Sequence, residues 1–95
     1  MATPRKIVLH SVGGSRLELA ALVGAWIADG VGYVGVVGKD AAAIEDEIDS
    51  LCVGNGAGPY FMLTAAHDSA ETLEDAIFLA EQISTVTGSV TVVEV

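Results

Sequence analysis

The side chains best suited to chemistry in this chain gather in a few short segments. His67 and Asp68 are adjacent, and an imidazole beside a carboxylate can serve as a base or a metal ligand. His10 and Ser11 stand together near the start, so a histidine and a hydroxyl occur at one turn. The G-x-S-x-G elbow that would present such a serine as a nucleophile is absent. His10, His67 and Asp68 are therefore the catalytic candidates, and adding His10 and Asp40 to the His67-Asp68 pair could complete a divalent site. The simpler reading makes Asp68 a helix cap and gives His67 a hydrogen bond to the loop backbone. Neither a metal nor another cofactor is expected.

A second segment, Ser11-Val12-Gly13-Gly14-Ser15-Arg16, has the character of an anion turn. Glycines permit close backbone approach, and the N–H groups at the start of a helix attract phosphate or carboxylate. Lys39 adds a cation at another turn, so Ser11, Gly13, Gly14, Ser15, Arg16 and Lys39 form the expected ligand set. The same residues also suit an ordinary strand-to-helix turn. Gly30-Val31-Gly32-Tyr33-Val34-Gly35 matches G-x-G-x-x-G literally, but it follows a helix and enters a strand, the reverse of the dinucleotide-binding order. Cys52 lies on an apolar helical stripe and reads as a small buried hydrophobe.

The elements that position these groups alternate between two periods. Apolar runs at 6–10, 33–37 and 60–64 read as strands covered on both faces, and 90–95 reads as a sheet-edge strand. Helical patterns fill 15–29, 40–53 and 69–86, the first opening on a Ser15/Glu18 capping-box spacing. The order βαβαβαβ predicts right-handed crossovers and parallel neighbours. The expected fold is a three-layer α/β/α sandwich on a four-stranded, mainly parallel sheet, a minimal Rossmann-like or flavodoxin-like domain covering 1–95. The strand order 2-1-3-4 is preferred over 3-2-1-4. Parallel strands would bring His10, Arg16, Lys39 and His67 to one end of the sheet, where such folds bind ligands.

Composition narrows the partners. The 95 residues include four Lys or Arg and thirteen Asp or Glu, for a net charge of −9. Residues 1–39 carry a net +2 and residues 40–95 a net −11. Phosphate backbones need a basic stripe, so nucleic acid is not an expected partner. The lone Cys rules out an intramolecular disulfide framework. Residues 17–28 are apolar apart from Glu18 but shorter than the ~20 residues of a membrane span. No targeting segment is read in the chain, which predicts no membrane association and a cytoplasmic location.

The first helix is apolar on nearly every side. Ala20, Ala21, Gly24 and Ala28 form a small-residue side, and Leu19, Leu22, Val23 and Trp26 a bulky one. If the small side lay on the sheet, the bulky side would be left for a partner. Phe78, on the polar face of the last helix, adds an aromatic of the kind enriched at interfaces. Leu19, Leu22, Trp26 and Phe78 are thus the interface candidates, with a homodimer as the expected partner.

Two blocks, Tyr33-Val34-x-Val36-x-Gly38-x-Asp40 followed by Asp46 and Asp49, and Phe61-Met62-Leu63-Thr64-x-x-His67-Asp68 followed by Glu71-Thr72-Leu73-Glu74-Asp75-Ala76, resemble a family of small uncharacterised bacterial α/β proteins. That pattern has an aromatic before the histidine, where this chain has Ala66. The resemblance implies an α/β fold and transfers no reaction. The function expected first is a self-associating interaction module. The alternatives are a small-anion or nucleotide-binding domain and a His/Asp-centred hydrolase or metal-assisted enzyme.

Overall fold

A computed structural model describes residues 6–13, 18–54, 59–68, 70–86 and 88–95 of the chain. The elements run β1 (Lys6–Ser11), α1 (Leu19–Asp29), β2 (Tyr33–Gly38), α2 (Ala41–Val53), β3 (Leu63–Ala66), α3 (Leu73–Gln82) and β4 (Val90–Glu94). The four strands make one sheet in the order β3-β2-β1-β4, with every neighbouring pair parallel. The predicted alternation and strand direction hold. The strand order is 3-2-1-4, not the preferred 2-1-3-4. The four residues of β3, Leu63 to Ala66, carry too little apolar side chain to fill a central position. Val8, Leu9, Val34 and Val36 are fully buried in the two central strands.

This order fixes the layers. The chain steps outward from β1 to β2 to β3, then crosses back to place β4 on the far side of β1. With right-handed crossovers, reversing the direction of travel moves the connecting helix to the opposite face. Accordingly, Ile7, Leu9, Val34 and Val36 pack with residues of α1 and α2, while Val8, Tyr33 and Val37 pack with Ala76 and Ala80 of α3.

α1 lies the other way round from expectation. Leu19, Val23 and Trp26, spaced as one helical stripe, are buried, whereas Ala20, Ala21, Gly24 and Ala28 are exposed. Burial stabilises by ~25 cal/mol per Å² of apolar surface, so the stripe with the larger side chains wins the sheet. Gly30 ends the helix at φ 78°, a left-handed conformation that suits glycine, and Val31 N–H returns to the Trp26 carbonyl at 2.9 Å.

Three boundaries also shift. Glu18 occupies the N-cap of α1 without a side-chain cap bond, and Ser15 lies outside the described residues. β3 begins at Leu63 because Tyr60 is held elsewhere: its N–H donates to the Cys52 carbonyl at 2.9 Å and its hydroxyl to the Val31 carbonyl at 2.7 Å. As an edge strand, β3 is only half covered, unlike the run expected to be buried on both faces. α3 starts at Leu73 under a capping box, in which the Thr72 hydroxyl accepts from Asp75 N–H and the Asp75 carboxylate accepts from Thr72 N–H.

Candidate functional site

Because all strands are parallel, their carboxyl ends share one rim. Across that rim lie Ala66-His67-Asp68 after β3, Gly38-Lys39-Asp40 after β2, His10-Ser11 at the end of β1, and Glu94 on β4. His10, Lys39 and His67 therefore do reach one edge. They do not form one cluster, since β2 separates the ends of β3 and β1, a span of roughly 10 Å at sheet spacing. A pocket of about 330 Å³ opens at the β2 and β3 ends, lined by Gly38, Asp40, Ala41, Ala42, Ala66, His67 and Asp68.

His67 is held from three directions. Its backbone N–H donates to the Val36 carbonyl at 2.8 Å, extending the β2–β3 ladder past the end of β3. Its side chain is buried, 4% exposed. Its Nδ1 is 2.8 Å from Glu71 Oε2. An ionised carboxylate only accepts, so Nδ1 carries the hydrogen and a neutral ring presents Nε2 as a lone pair. Nε2 is buried and has no hydrogen-bond partner. Buried polar atoms are nearly always paired, so this orphan marks the residue as unusual.

Glu71 is placed by a tight turn. Glu71 N–H donates to the Asp68 carbonyl at 3.0 Å, and its Oε1 accepts from Asp68 N–H at 3.2 Å. One carboxylate thus bridges the imidazole and the turn backbone. The hydrogen bond from His67, helped by the Asp68 amide, holds the Glu71 carboxyl below its ordinary range. Asp68 does not cap α3; its Oδ1 accepts from Ala70 N–H at 2.9 Å, and Thr72 is the cap. The carboxylate paired with His67 is therefore Glu71, not the adjacent Asp68. The sequence signal was available in the four-residue spacing from His67 to Glu71.

The opposite wall is the first turn of α2. Asp40 sits at its N-cap in a left-handed conformation, φ 57°, and its side chain makes no cap bond. The first-turn N–H groups thus receive no acceptor from the residue that usually supplies one. The wall is built from Gly38, Ala41 and Ala42, so little side chain covers that backbone. Gly38 is required here: at φ 107° a Cβ would overlap the Ser11 carbonyl oxygen. The neighbouring Lys39 N–H donates to that same carbonyl at 2.9 Å, which ties the β2 and β1 ends together.

The remaining candidates are placed as follows. Ser11 is buried at the end of β1. Val12 and Gly13 N–H both point to the Val95 carbonyl, at 2.9 and 3.4 Å, so those amides already have an acceptor. Gly14, Ser15 and Arg16 lie outside the described residues. Lys39 is exposed. His10 makes only a loose contact with Glu94, 3.8 Å from Nδ1 to Oε2. Among the described residues, no three His, Cys, Asp or Glu side chains gather to hold a metal ion.

The interface candidates divide. Leu19 and Trp26 are core residues, 2% and 5% exposed, and Leu22 is half-buried against the same cluster. The expectation that the bulky side of α1 faces outward is corrected. Phe78 is exposed, 64%, with Leu79 beside it at 39%. The sequence reading missed a larger apolar cleft of about 540 Å³ at the opposite rim, where Phe61 stands 86% exposed. Among the described residues no helix is long and apolar enough to cross a membrane.

The fold and the rim define a minimal parallel α/β domain with a small polar pocket at the carboxyl ends of two neighbouring strands. The chain belongs to the family described as a domain of unknown function, DUF7684, whose model matches residues 3–94. No curated protein and no solved structure matches it.

Proposed function

We propose that the chain is a binding domain for a small ligand carrying an anionic group, held in the pocket between the first turn of α2 and His67. The observation that carries this reading is the start of α2, which opens on this pocket without a cap bond from the Asp40 side chain and with Gly38, Ala41 and Ala42 as its wall. His67, its ring tied to Glu71, lines the other side of the pocket. A helix start attracts negative charge through its N–H groups and dipole. The anion site thus moves from the expected turn at Gly13 to the start of α2. At about 330 Å³ the pocket is near the lower end of ligand clefts, ~300 to ~1,000 Å³, and favours a small ligand over a nucleotide.

Titrating the ¹⁵N-labelled chain with acetate and inorganic phosphate tests this. Amides 38–43 and 67 should shift first and saturate. If those amides stay still while the chain remains folded, the reading is wrong.

Self-association is a second reading, supported by Phe78 and Leu79 exposed on α3 beside the edge strand β4, where Val92 is 44% exposed. Sedimentation velocity at micromolar concentration should then show a dimer that Phe78→Asp dissociates. A monomer at all concentrations would remove it.

A further inference from the structure

We propose that the free edge of β3 binds an extended segment of a basic partner protein, which joins the sheet as a further strand beside Thr64 and Ala66; this goes beyond the small-ligand reading and does not depend on it. β3 ends the sheet, and among the described residues no strand pairs with its outer side. The N–H groups of Leu63 and His67 turn inward, to the Gly32 and Val36 carbonyls at 3.0 and 2.8 Å. Backbone groups alternate along a strand, so Thr64 and Ala66 present their N–H and C=O groups outward. Edge strands are commonly protected by a Lys, a Pro or an inward charge. Leu63-Thr64-Ala65-Ala66 carries none of these.

The two faces of this edge differ. On the α2 side, Thr64 Oγ1 donates to Asp49 Oδ1 at 2.9 Å, which sets an exposed carboxylate beside the strand. Glu45 lies one turn earlier on the same side of α2. Asp68 is exposed just past the end of β3, and residues 40–95 contain eleven acids and no Lys or Arg. On the α3 side the edge is apolar. Leu63 and Ala65 reach the cluster under α3 but stay half-buried, because α3 packs chiefly on β2 and β1. The cleft of about 540 Å³ opens there, with Leu63, Val86 and the exposed Phe61 in its lining. An added strand turns alternate side chains to the two faces, so the segment that fits has Lys or Arg on one face and aliphatic side chains on the other. The basic residues meet Asp49 and Glu45, and the aliphatic ones cover Leu63 and Phe61. A second copy suits this edge poorly: paired here about a two-fold axis, it would bring its own Asp49 and Glu45 against these, and like charges across a strand pair repel.

The test is NMR titration of the ¹⁵N-labelled full chain with blocked heptapeptides of alternating Lys and Val, alternating Glu and Val, and alternating Lys and Ser. The Lys/Val peptide should bind at least about tenfold more tightly than either control, since both charge and apolar face must match. It should also slow hydrogen exchange at Thr64 and Ala66. Added salt should weaken it several-fold, as should Asp49→Asn, which keeps an acceptor for Thr64. Ala66→Pro removes an outward N–H, leaves the β2 ladder intact and should abolish binding with circular dichroism unchanged. Copies of the Lys/Val peptide N-methylated on every second residue, in each of the two frames, test the same ladder from the partner's side, and one frame should lose binding. The proposal is overturned if either control peptide matches Lys/Val, if both methylated copies bind as the parent does, or if no peptide binds. A dimer that Ala66→Pro splits in the absence of peptide, seen by sedimentation, would overturn it in favour of a second copy on this edge.

Discussion

Truncating Trp26 distinguishes a core residue from an interface residue. The indole is 5% exposed and packs in the cluster that joins α1 to the sheet through Leu9, Val23 and Val34. Trp26→Ala therefore leaves a cavity inside one chain. Buried aromatic-to-alanine changes cost ~3–5 kcal/mol. A chain of 95 residues at roughly 0.05–0.15 kcal/mol per residue has about 5–14 kcal/mol in total, so the loss is a large fraction of its stability. At ~4–8 °C per kcal/mol for a domain this size, Tm should drop by about 12–40 °C. Urea unfolding followed by circular dichroism, at two protein concentrations tenfold apart, measures the loss and its concentration dependence. Phe78→Ala is the matched control, since an exposed side chain should cost no more than ~0.5 kcal/mol. The placement of α1 is refuted if Trp26→Ala leaves the monomer as stable as Phe78→Ala does and changes only the association state.

Thr72→Ala removes the reciprocal cap of α3 and should cost ~1 kcal/mol, read from the urea midpoint; Thr72→Ser should recover most of it. Glu71 has its carboxyl held below its ordinary range by the His67 hydrogen bond, so its stabilising contribution is present above the unfolded-state value and is lost as pH falls through the lowered one. Acid unfolding of the wild-type chain should therefore be steeper over that interval than that of Glu71→Gln. Identical acid limbs would show that the bond to His67 adds nothing.

Much of the fold was legible because its signals are periodic. Apolar runs separated by capped helical stripes give an α/β alternation, and alternation implies parallel strands. The strand order was not legible, because it depends on which strand has enough apolar side chain to be central, and β3 differs from β1 and β2 in that respect only by Thr64, Ala65 and Ala66. The orientation of α1 was misjudged because both sides of that helix are apolar. The competition between them is settled by buried area, and Leu19, Val23 and Trp26 carry more of it than the alanines. Of the site, His67 was visible as a titratable residue at a strand end. Its partner was passed over despite the four-residue spacing, since Asp68 is nearer in sequence, and the turn closed by Glu71 N–H on the Asp68 carbonyl brings Glu71 to the ring. An Asp at a helix start usually caps it, and only the structure shows Asp40 in a left-handed conformation with that bond not made.

The most direct test of the central claim is the protonation state of the His67 ring, read by long-range ¹H–¹⁵N correlation on the ¹⁵N-labelled chain at a pH where the ring is neutral. The structure predicts the less common tautomer, with hydrogen on Nδ1 facing Glu71 and a bare Nε2. A neutral ring protonated on Nε2 would contradict the account.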